Sequence, residues 1–394
     1  MSRLETAGLA PRDVVAVALP PGPQWAGIVR DVWDAGAAIL PVDHRFPEPE
    51  AAALLRRAKP TVVLGPGGWA RPPGGIPTEQ DVALVVHTSG TAGEPKLAQF
   101  DRSAIDAAVA ASALTLDATP RDRWLCCLPL AHVGGMLVVL RSVLLGAPVS
   151  VHPAFDPAVI AAERDAAFVS VVPTMLARLL DAGVDLSRFR AILVGGAAFP
   201  LALRRRVERS GGKVRETYGL TESCGGVVYE GRPLAGVEIR IDEEGGIELR
   251  GPMMMLGYRL DPEGTERAFT PDGWLRPGDA GTVDRQGRLH VFGRLDDLIN
   301  SGGEKVWPDE VEAALRDHPK VADVAVAGRA DPGWGQRVVA YVLPADALSP
   351  PSLAELRDHV SRTLPRFKAP RELVLLVEDV PRTYSGKIRH TALA

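Results

Sequence analysis

The first hundred residues alternate short, wholly apolar runs with segments of helical periodicity. Runs of this kind suit strands that are buried on both faces, as in a parallel sheet covered by helices on both sides. The same alternation continues through strands at 166–172 and 191–194, with helices at 174–182 and after Pro200. The sequence therefore predicts a fold of the α/β class. In the first hundred residues, the predicted strands are 14–19, 39–42, 61–64 and 82–86, and the predicted helices are 24–37 and 48–58.

The pattern changes near Gly236, where short apolar segments are separated by glycine-containing turns that are typical of antiparallel hairpins. A small α+β module follows, and its predicted elements are helices at 308–317 and 353–364 and strands at 321–327, 338–342 and 373–377. We therefore expect two domains. The first, residues 1–295, is a large N-terminal domain of mixed sheets flanked by helices, and the second, residues 296–394, is a small C-terminal domain.

Composition excludes several classes of protein. With 394 residues, 46% of them apolar, and a net charge of −4, the chain has no basic surplus for nucleic acid or an anionic membrane. Its three cysteines form neither a disulfide framework nor a zinc-site spacing. The longest apolar stretch, 136–149, is interrupted by Arg141 and is too short to span a bilayer. Since the N-terminus has no apolar signal core, we expect a cytoplasmic protein.

A loop rich in Gly, Ser and Thr follows the apolar run 82–86 and ends at Lys96. Small residues leave backbone N–H groups open, hydroxyls add donors, and the lysine adds positive charge, so the loop suits phosphate oxygens. It differs from a P-loop because Pro95 and Leu97 stand where that motif requires Gly and Ser or Thr. A flexible surface turn is the alternative that this segment alone leaves open.

Two later segments carry single groups that suit a nucleotide. In 217–222, Tyr218 offers a flat face for a base, Thr221 a hydroxyl, and Glu222 a hard oxygen ligand for Mg²⁺. In 273–279, Asp279 follows a glycine and can accept hydrogen bonds from both ribose hydroxyls, as an acidic residue does in dinucleotide folds. Taken singly, each segment leaves a structural turn open as the alternative to nucleotide binding.

The segment 292–308 lies where the small C-terminal module begins, so it either joins the two domains or forms an exposed charged linker. Near the C-terminus, Lys387 follows a glycine in the segment 381–389. Such a lysine either reaches into a cleft or is simply solvated.

Together, and in this order, the motifs resemble those of the adenylate-forming superfamily, which comprises acyl- and aryl-CoA synthetases, peptide-synthetase adenylation domains and luciferases. The matching stretches run HTSGTAGEPK, PLAHVG, YGLTE, GD-x-G, GRLDDLI–SGGEKV and PRTYSGK. The resemblance implies a small, mobile C-terminal domain, ATP and Mg²⁺ as cofactors, and coenzyme A as a co-substrate. Relatives usually have a further N-terminal strand and helix, so we expect a shortened N-terminal domain.

The resemblance also implies roles for individual residues. The catalytic residues are Lys387, Glu222, Thr221 and Arg294, the metal ligands are Glu222 and Thr91, and the hinge is Asp296. The nucleotide and coenzyme A are bound by Thr88, Ser89, Gly90, Thr91, Gly93, Lys96, Gly195, Gly196, Ala197, Tyr218, Gly219, Asp279, Ser301, Gly302 and Gly303. The acid pocket is lined by His132, Gly134, Cys224 and Gly225.

The stretch Cys224-Gly-Gly, with the short connection to Pro233, is similar to o-succinylbenzoate–CoA ligases of actinobacterial type, which serve menaquinone synthesis. That acid has two carboxylates, so its pocket needs a donor for the carboxylate that does not react. His132 and Arg141 are the candidates, although Arg141 is equally well a surface residue of the helix that contains it.

Three other functions stay open at this point. They are ligation of another aryl or fatty acid to coenzyme A, transfer of the acyl group to a carrier protein, and binding of nucleotide without catalysis. The expected partners are a small carboxylic acid, ATP and coenzyme A, with no nucleic acid, and a homodimer is left open.

Overall fold

The computed structural model describes residues 8–79, 81–88, 95–382 and 388–393, and it confirms the predicted α/β class. Within these residues the chain separates into two compact units. The first unit contains the described residues up to 88 together with 95–239 and 249–277, and the second contains 240–248 and the described residues from 278 onward. The domain boundary between residues 295 and 296 stays a prediction.

The first part of the first unit follows the predicted alternation closely. Its elements are β1 (Val14–Val17), α1 (Trp25–Asp34), β2 (Ala38–Pro41), α2 (Glu48–Ala58), β3 (Val62–Gly65), β4 (Gly68–Ala70), β5 (Val82–His87) and β6 (Leu97–Asp101). Strand β1 pairs in parallel with β2 and with β3, whereas β5 and β6 are antiparallel. All four residues of β1 are completely buried, as the apolar runs predict for a strand covered on both faces.

The elements that follow build a second sheet with its helices. They are α3 (Arg102–Leu116), β7 (Arg123–Cys126), α4 (Val133–Leu145), β8 (Val149–Val151), α5 (Pro157–Ala162), β9 (Ala166–Val171), α6 (Pro173–Asp181), β10 (Ala191–Val194), α7 (Leu201–Arg209), β11 (Val214–Leu220), β12 (Gly225–Tyr229) and β13 (Arg232–Pro233). The strand order is β13-β12-β11-β10-β9-β7-β8. Pairing is parallel from β8 to β11 and becomes antiparallel at β12.

Four short elements complete this part of the chain: β14 (Glu238–Ile241), β15 (Ile247–Arg250), β16 (Gly257–Tyr258) and α8 (Pro262–Ala268). Strand β16 joins the edge of the first sheet, whose order is β16-β6-β5-β2-β1-β3-β4. It pairs with β6 in the register Tyr258↔Ala98, which brings a residue from late in the unit next to the strand that follows Lys96.

The second unit contains β17 (Asp279–Val283), β18 (Leu289–Arg294), β19 (Ile299–Ser301), β20 (Glu304–Val306), α9 (Pro308–Arg316), β21 (Val321–Asp331), β22 (Gly335–Pro344), α10 (Leu353–Val360) and β23 (Glu372–Leu375). Strands β17 and β18 form the predicted hairpin, and β19 to β23 form a five-stranded sheet. Strand β21 extends beyond the predicted 321–327 because its antiparallel pairing with β22 continues to the register Asp331↔Gly335.

The second unit has its own core, in which the apolar faces of α9 and α10 pack on the five-stranded sheet. Leu315 of α9 and Leu356 of α10 are fully buried there together with Val324 and Val338. Among the described residues, no helix is both long enough and apolar enough to cross a membrane.

Candidate active site

The carboxyl ends of β10 and β11 form one edge of the second sheet in the first unit. Gly195, Gly196 and Ala197 follow β10 directly, and Gly196 and Ala197 are exposed. Tyr218 and Gly219 lie at a bulge in the pairing of β11 with β12. A Cβ on Gly219 would lie 2.0 Å from the carbonyl oxygen of Gly225, so no larger residue fits here. Ligands of α/β sheets bind at such an edge, and the predicted adenine-binding residues are brought together there.

Glu222 lies just beyond this edge, in the single 3-10 turn Thr221–Ser223 that follows β11. The hydroxyl of Tyr258 donates a hydrogen bond to Glu222 Oε1 over 2.7 Å. The ammonium nitrogen of Lys96 lies 4.7 Å from the centre of the Tyr258 ring. Tyr258 thus holds together two predicted ligand-binding residues that are far apart in the sequence.

The sequence analysis missed Tyr258, because its role depends on the pairing of β16 with β6 and no nearby motif marks it. A half-buried carboxylate beside an ammonium group is a donor set that suits Mg²⁺ and the phosphates of a nucleotide. The residues present therefore fit a magnesium–nucleotide complex, with Glu222 as a metal ligand and Lys96 as a phosphate ligand.

The backbone closes the base of the predicted phosphate loop. The Thr88 N–H donates to the Lys96 carbonyl oxygen over 2.8 Å, so the two ends of the loop are adjacent where β5 and β6 meet. Four of the predicted phosphate-binding residues lie outside the described residues, and so does the predicted catalytic lysine: Ser89, Gly90, Thr91, Gly93 and Lys387.

The residues predicted to line the acid pocket lie around helix α4. His132 is the N-cap residue of this helix, and Gly134 lies in its first turn. Gly225 of β12 packs against α4, since a Cβ on it would lie 3.0 Å from Leu137 Cδ2. Cys224 is buried and has a φ of +54°, a backbone conformation that residues other than glycine rarely adopt. Burial raises the pKa of its thiol to about 12, against the opposing effect of the Arg141 charge.

Arg141, the other candidate for the spectator carboxylate, is not a surface residue. It is 2% exposed in the middle of α4, which corrects the alternative left open by the sequence. Its guanidinium donates to Ser112 Oγ over 3.1 Å and to the Tyr229 hydroxyl over 3.3 Å, and it lies over the Trp124 ring. Burial lowers its pKa, and among the described residues no carboxylate forms an ion pair with it.

His87 is a second residue for which the sequence predicts no role of its own, because it lies at the start of the phosphate loop. Its ring lies 5.6 Å from that of His132, and it is 5% exposed. Among the described residues, its Nε2 atom has no hydrogen-bond partner. Burial first, and then the neighbouring His132, lower the pKa of His87 to about 4, so its imidazole is neutral at physiological pH.

In the second unit, Asp279 and Arg294 face each other across the hairpin of β17 and β18. Arg294 Nη1 lies 3.3 Å from Asp279 Oδ1, and Arg294 Nη2 lies 3.9 Å from Asp296 Oδ2. The Asp296 side chain is 89% exposed, in the 3-10 turn Leu295–Asp297 that follows β18. A carboxylate and a guanidinium held side by side can contact the hydroxyls and the phosphate of one nucleotide.

Ser301, Gly302 and Gly303, which are among the residues predicted to bind the nucleotide or coenzyme A, lie at the turn between β19 and β20. Gly302 has a φ of +64°, and its N–H donates to the Trp334 carbonyl oxygen over 2.8 Å. A Cβ on Gly302 would lie 2.4 Å from the Trp334 ring, so glycine is required for both conformation and space. Ser301 is buried and its hydroxyl has no partner among the described residues, whereas Gly303 is exposed.

Known protein families and proteins resemble this chain over most of its length. The chain matches a family model described as AMP-binding enzyme over residues 2–71 and 66–259, and a second model, AMP-binding enzyme C-terminal domain, over residues 310–387. It is 39% identical over 330 residues to a probable 2-succinylbenzoate–CoA ligase of Mycobacterium tuberculosis, a match that covers 80% of this chain and 84% of the relative.

Solved structures give the same result. One is the o-succinylbenzoate CoA synthetase of Bacillus subtilis in complex with its acyl-adenylate intermediate, at a TM-score of 0.87, 29% identity and coverage of 98% of this chain and 88% of that one. The same enzyme in complex with ATP and magnesium ion superposes with a TM-score of 0.86, at 29% identity and coverage of 98% and 90%.

Proposed function

The chain belongs to the family of AMP-binding enzymes, and from this we propose that it is an ATP-dependent acid–CoA ligase whose acid is o-succinylbenzoate. The product is o-succinylbenzoyl-CoA, an intermediate of menaquinone synthesis. The relatives that match over most of the chain carry this activity in their names, which supports the proposal.

The chemistry has two steps, because hydroxide is too poor a leaving group for direct attack on a carboxylate. First, a carboxylate oxygen bonds to the α-phosphorus of ATP, and the bond from that phosphorus to pyrophosphate breaks. Then the sulfur of coenzyme A bonds to the acyl carbon, AMP leaves with the electron pair of the broken C–O bond, and the thiol proton is released to solvent.

The residues of the chain have separate tasks in this scheme. The first step brings anions together, so it needs positive charge close to the reacting oxygens. In the proposal, Lys387 lies between the carboxylate and the α-phosphate, and Lys96 holds the outer phosphates. Glu222 and Thr91 would hold Mg²⁺, which would neutralise phosphate charge. Asp279 and Arg294 hold the ribose and its phosphate.

Arg141 is the residue that most favours o-succinylbenzoate as the acid substrate. A fully buried guanidinium whose partners among the described residues are two hydroxyls and an aromatic ring has no compensating anion. It lies on the same helix as the pocket residues His132 and Gly134, and close enough to Cys224 to influence its pKa. A substrate with a second carboxylate would supply the missing charge. An acid with a single carboxylate would leave it uncompensated.

His132 extends the pocket towards the reacting end. It precedes Arg141 by nine positions, which is roughly 13 Å along a helix axis. The neutral His87 beside it adds a ring nitrogen that has no partner among the described residues. The pocket is therefore polar at both ends, as expected for an acid that has a carboxylate at each end and a ketone between them.

Product analysis tests the proposal. Purified protein is incubated with ATP, Mg²⁺ and coenzyme A, with o-succinylbenzoate, benzoate, a medium-chain fatty acid or no acid, and the products are identified by mass. We expect AMP and o-succinylbenzoyl-CoA well above the products of the other acids. A thioester of another acid would keep the chemistry and discard the substrate, and AMP formation without a coenzyme A thioester would favour transfer to a carrier protein.

A substitution separates the two steps. Lys387→Ala is expected to abolish adenylation and largely to spare thioester formation from supplied acyl-adenylate. Equal loss of both steps would refute the role proposed for Lys387.

Assembly into a homodimer is part of the proposal, and light scattering of the purified protein measures its oligomeric state.

A further inference from the structure

A half-buried histidine, His390, bridges two carboxylates of the second unit. His390 Nδ1 lies 3.1 Å from Asp297 Oδ2, and His390 Nε2 lies 2.8 Å from Glu312 Oε1. The exposed fractions of the His390 and Glu312 side chains are 13% and 2%. We call these three residues the imidazole clasp.

The clasp has the geometry of an imidazolium between two anions. Both ring nitrogens face carboxylate oxygens, which a neutral ring cannot satisfy because one of its nitrogens carries no proton. Burial by itself lowers the pKa of His390, but its hydrogen bonds and the charges of Asp297 and Glu312 outweigh that effect and raise the pKa to about 10. His390 is therefore a fixed cation at physiological pH.

The surroundings of the clasp hold its acidic side in place. The Val326 N–H of β21 donates to Glu312 Oε1 over 2.9 Å, and Arg316 Nη2 of α9 donates to Glu312 Oε2 over 2.9 Å. Asp309 lies close by, and its ligand atom is within 4.8 Å of those of Glu312 and His390. Glu312 is thus a rigid anchor, and His390 is the part of the clasp that belongs to the C-terminal segment.

The clasp lies beside the two ends of the segment that contains Lys387. Arg382 and Ile388 form an antiparallel bridge, and the Arg389 N–H donates to the Pro381 carbonyl oxygen over 2.9 Å. Arg382 is itself tied to β21 by an ion pair with Asp323 over 2.7 Å. The described residues on either side of Lys387 are therefore held in place, Arg382 by Asp323 and residues 388–390 by the clasp.

The other end of the clasp reaches the proposed hinge. Asp297 directly follows Asp296 and lies in the same 3-10 turn, Leu295–Asp297. One imidazolium thus ties this turn, the helix α9 and the chain that follows Lys387 to one another. These three parts belong to the second unit, so the clasp fixes them within a single body.

We propose that His390 is a positioning residue for the adenylation step: the imidazole clasp fixes residues 388–390, which directly follow Lys387, the residue to which the proposed function assigns that step. The inference rests on the proposed function. The role is specific to one step, since thioester formation proceeds without Lys387 in the mechanism above. A displacement of about 1 Å at a reacting group can cost 100-fold in rate.

The test compares three variants in separate half-reactions. Adenylation is followed by exchange of labelled pyrophosphate into ATP, and thioester formation is followed from supplied acyl-adenylate and coenzyme A. His390→Gln removes the charge and is expected to lower adenylation about 100-fold while thioester formation changes less than threefold. His390→Arg keeps a buried cation with two donors and is expected to restore at least a tenth of the lost rate.

His359→Gln is the matched control. This histidine is half-buried in the same unit and contacts the same helix through the Ala314 carbonyl oxygen, at 3.1 Å from its Nε2 atom. Both half-reactions of the control are expected to match those of the unmodified protein. Equal loss of the two half-reactions in His390→Gln, or no loss in either, would overturn the proposal.

Trypsin separates a failure of this inference from a failure of the proposed function. Cleavage after Arg382, Lys387 and Arg389 is followed by mass in the unmodified protein and in the two glutamine variants. We expect faster cleavage in His390→Gln alone. If the unmodified protein adenylates none of the acids, the proposed function fails. Unchanged cleavage in His390→Gln would then overturn the clasp independently.

Discussion

Arg141 in the first unit and His390 in the second are two cations that are largely shielded from water, and their surroundings differ. In the first unit, the Arg141 guanidinium is bound by Ser112, Tyr229 and the face of Trp124, all of which are uncharged. In the second unit, the His390 imidazolium lies between the carboxylates of Asp297 and Glu312.

The difference indicates different uses. Removing a charge from water costs several kcal/mol per ion, and a nearby counter-ion recovers much of that cost. His390 has its counter-ions within the protein, so it stabilises the fold and fixes a segment. Arg141 lacks one among the described residues, and in the proposed function the second carboxylate of the acid supplies it. The proposals for the two residues follow from this difference, ligand binding for Arg141 and positioning for His390.

Arg141→Met gives the largest effect that this comparison predicts. We expect kcat/KM for o-succinylbenzoate to fall about 100-fold, because a charge-assisted contact to the second carboxylate is lost, at a cost of about 1.5–3 kcal/mol. The matched control is 3-benzoylpropionate, which keeps the ketone and one carboxylate. The variant and the unmodified protein should use this analogue within a factor of three of each other. A similar loss with both acids would mean that Arg141 serves the fold and has no part in selecting the substrate.

The second prediction is that Arg141→Met and His390→Gln change the free energy of unfolding of the ligand-free protein in opposite directions. Arg141→Met should raise the free energy of unfolding by about 1 kcal/mol, since an uncompensated buried charge is replaced by an apolar chain of similar length. Ser112 and Tyr229 keep each other as hydrogen-bond partners, so no polar group is orphaned. His390→Gln should lower the same quantity by about 2 kcal/mol, because two carboxylates lose their shared cation.

Urea unfolding of both variants, followed by fluorescence and by circular dichroism, measures these changes. His359→Gln serves again as the control for loss of a half-buried histidine in the second unit. If Arg141→Met is as destabilising as His390→Gln, the distinction between the two cations does not hold.

Much of the fold could be predicted from local sequence. Strand β10 and helix α2 have the predicted bounds, because an apolar run and an amphipathic period are properties of neighbouring residues. The burial of Arg141 could also be predicted from the residues around it. Helix α4 is apolar on nearly all sides, and such a helix is buried, so a charge in its middle is buried with it.

The rest depends on contacts between distant residues. His390 is 93 residues from Asp297 and 78 from Glu312, and no spacing rule connects them. Tyr258 reaches Glu222 because β16 joins the edge of the first sheet, a pairing between segments more than 150 residues apart. Sequence motifs therefore predict candidate catalytic and binding residues, whereas the contacts that hold those residues in place depend on tertiary pairing.

The third prediction concerns pH. The pKa of His390 is about 10 in the folded protein, above its ordinary value near 6.5. The stabilisation by a raised histidine pKa is fully present below about pH 6.5 and is lost as the pH rises through 10. The stability difference between the unmodified protein and His390→Gln should therefore be constant from pH 5 to 6.5 and shrink towards pH 10.5. A difference that is independent of pH would show that His390 is held as a neutral ring.

The smallest expected effect concerns the third carboxylate beside the imidazole clasp. Burial, and then the charge of Glu312, raise the pKa of Asp309 to about 6, while His390 and Arg316 oppose this rise. A raised carboxyl pKa means stability that is present below about pH 4 and lost as the pH rises through 6. Asp309→Asn removes the carboxyl group whose ionisation lowers stability. The variant should therefore be more stable than the unmodified protein by about 1 kcal/mol at pH 7.5 and equally stable near pH 4. Equal unfolding midpoints at pH 7.5 would show that the clasp accommodates three anions as readily as two, because the imidazolium and Arg316 together would then neutralise all of them.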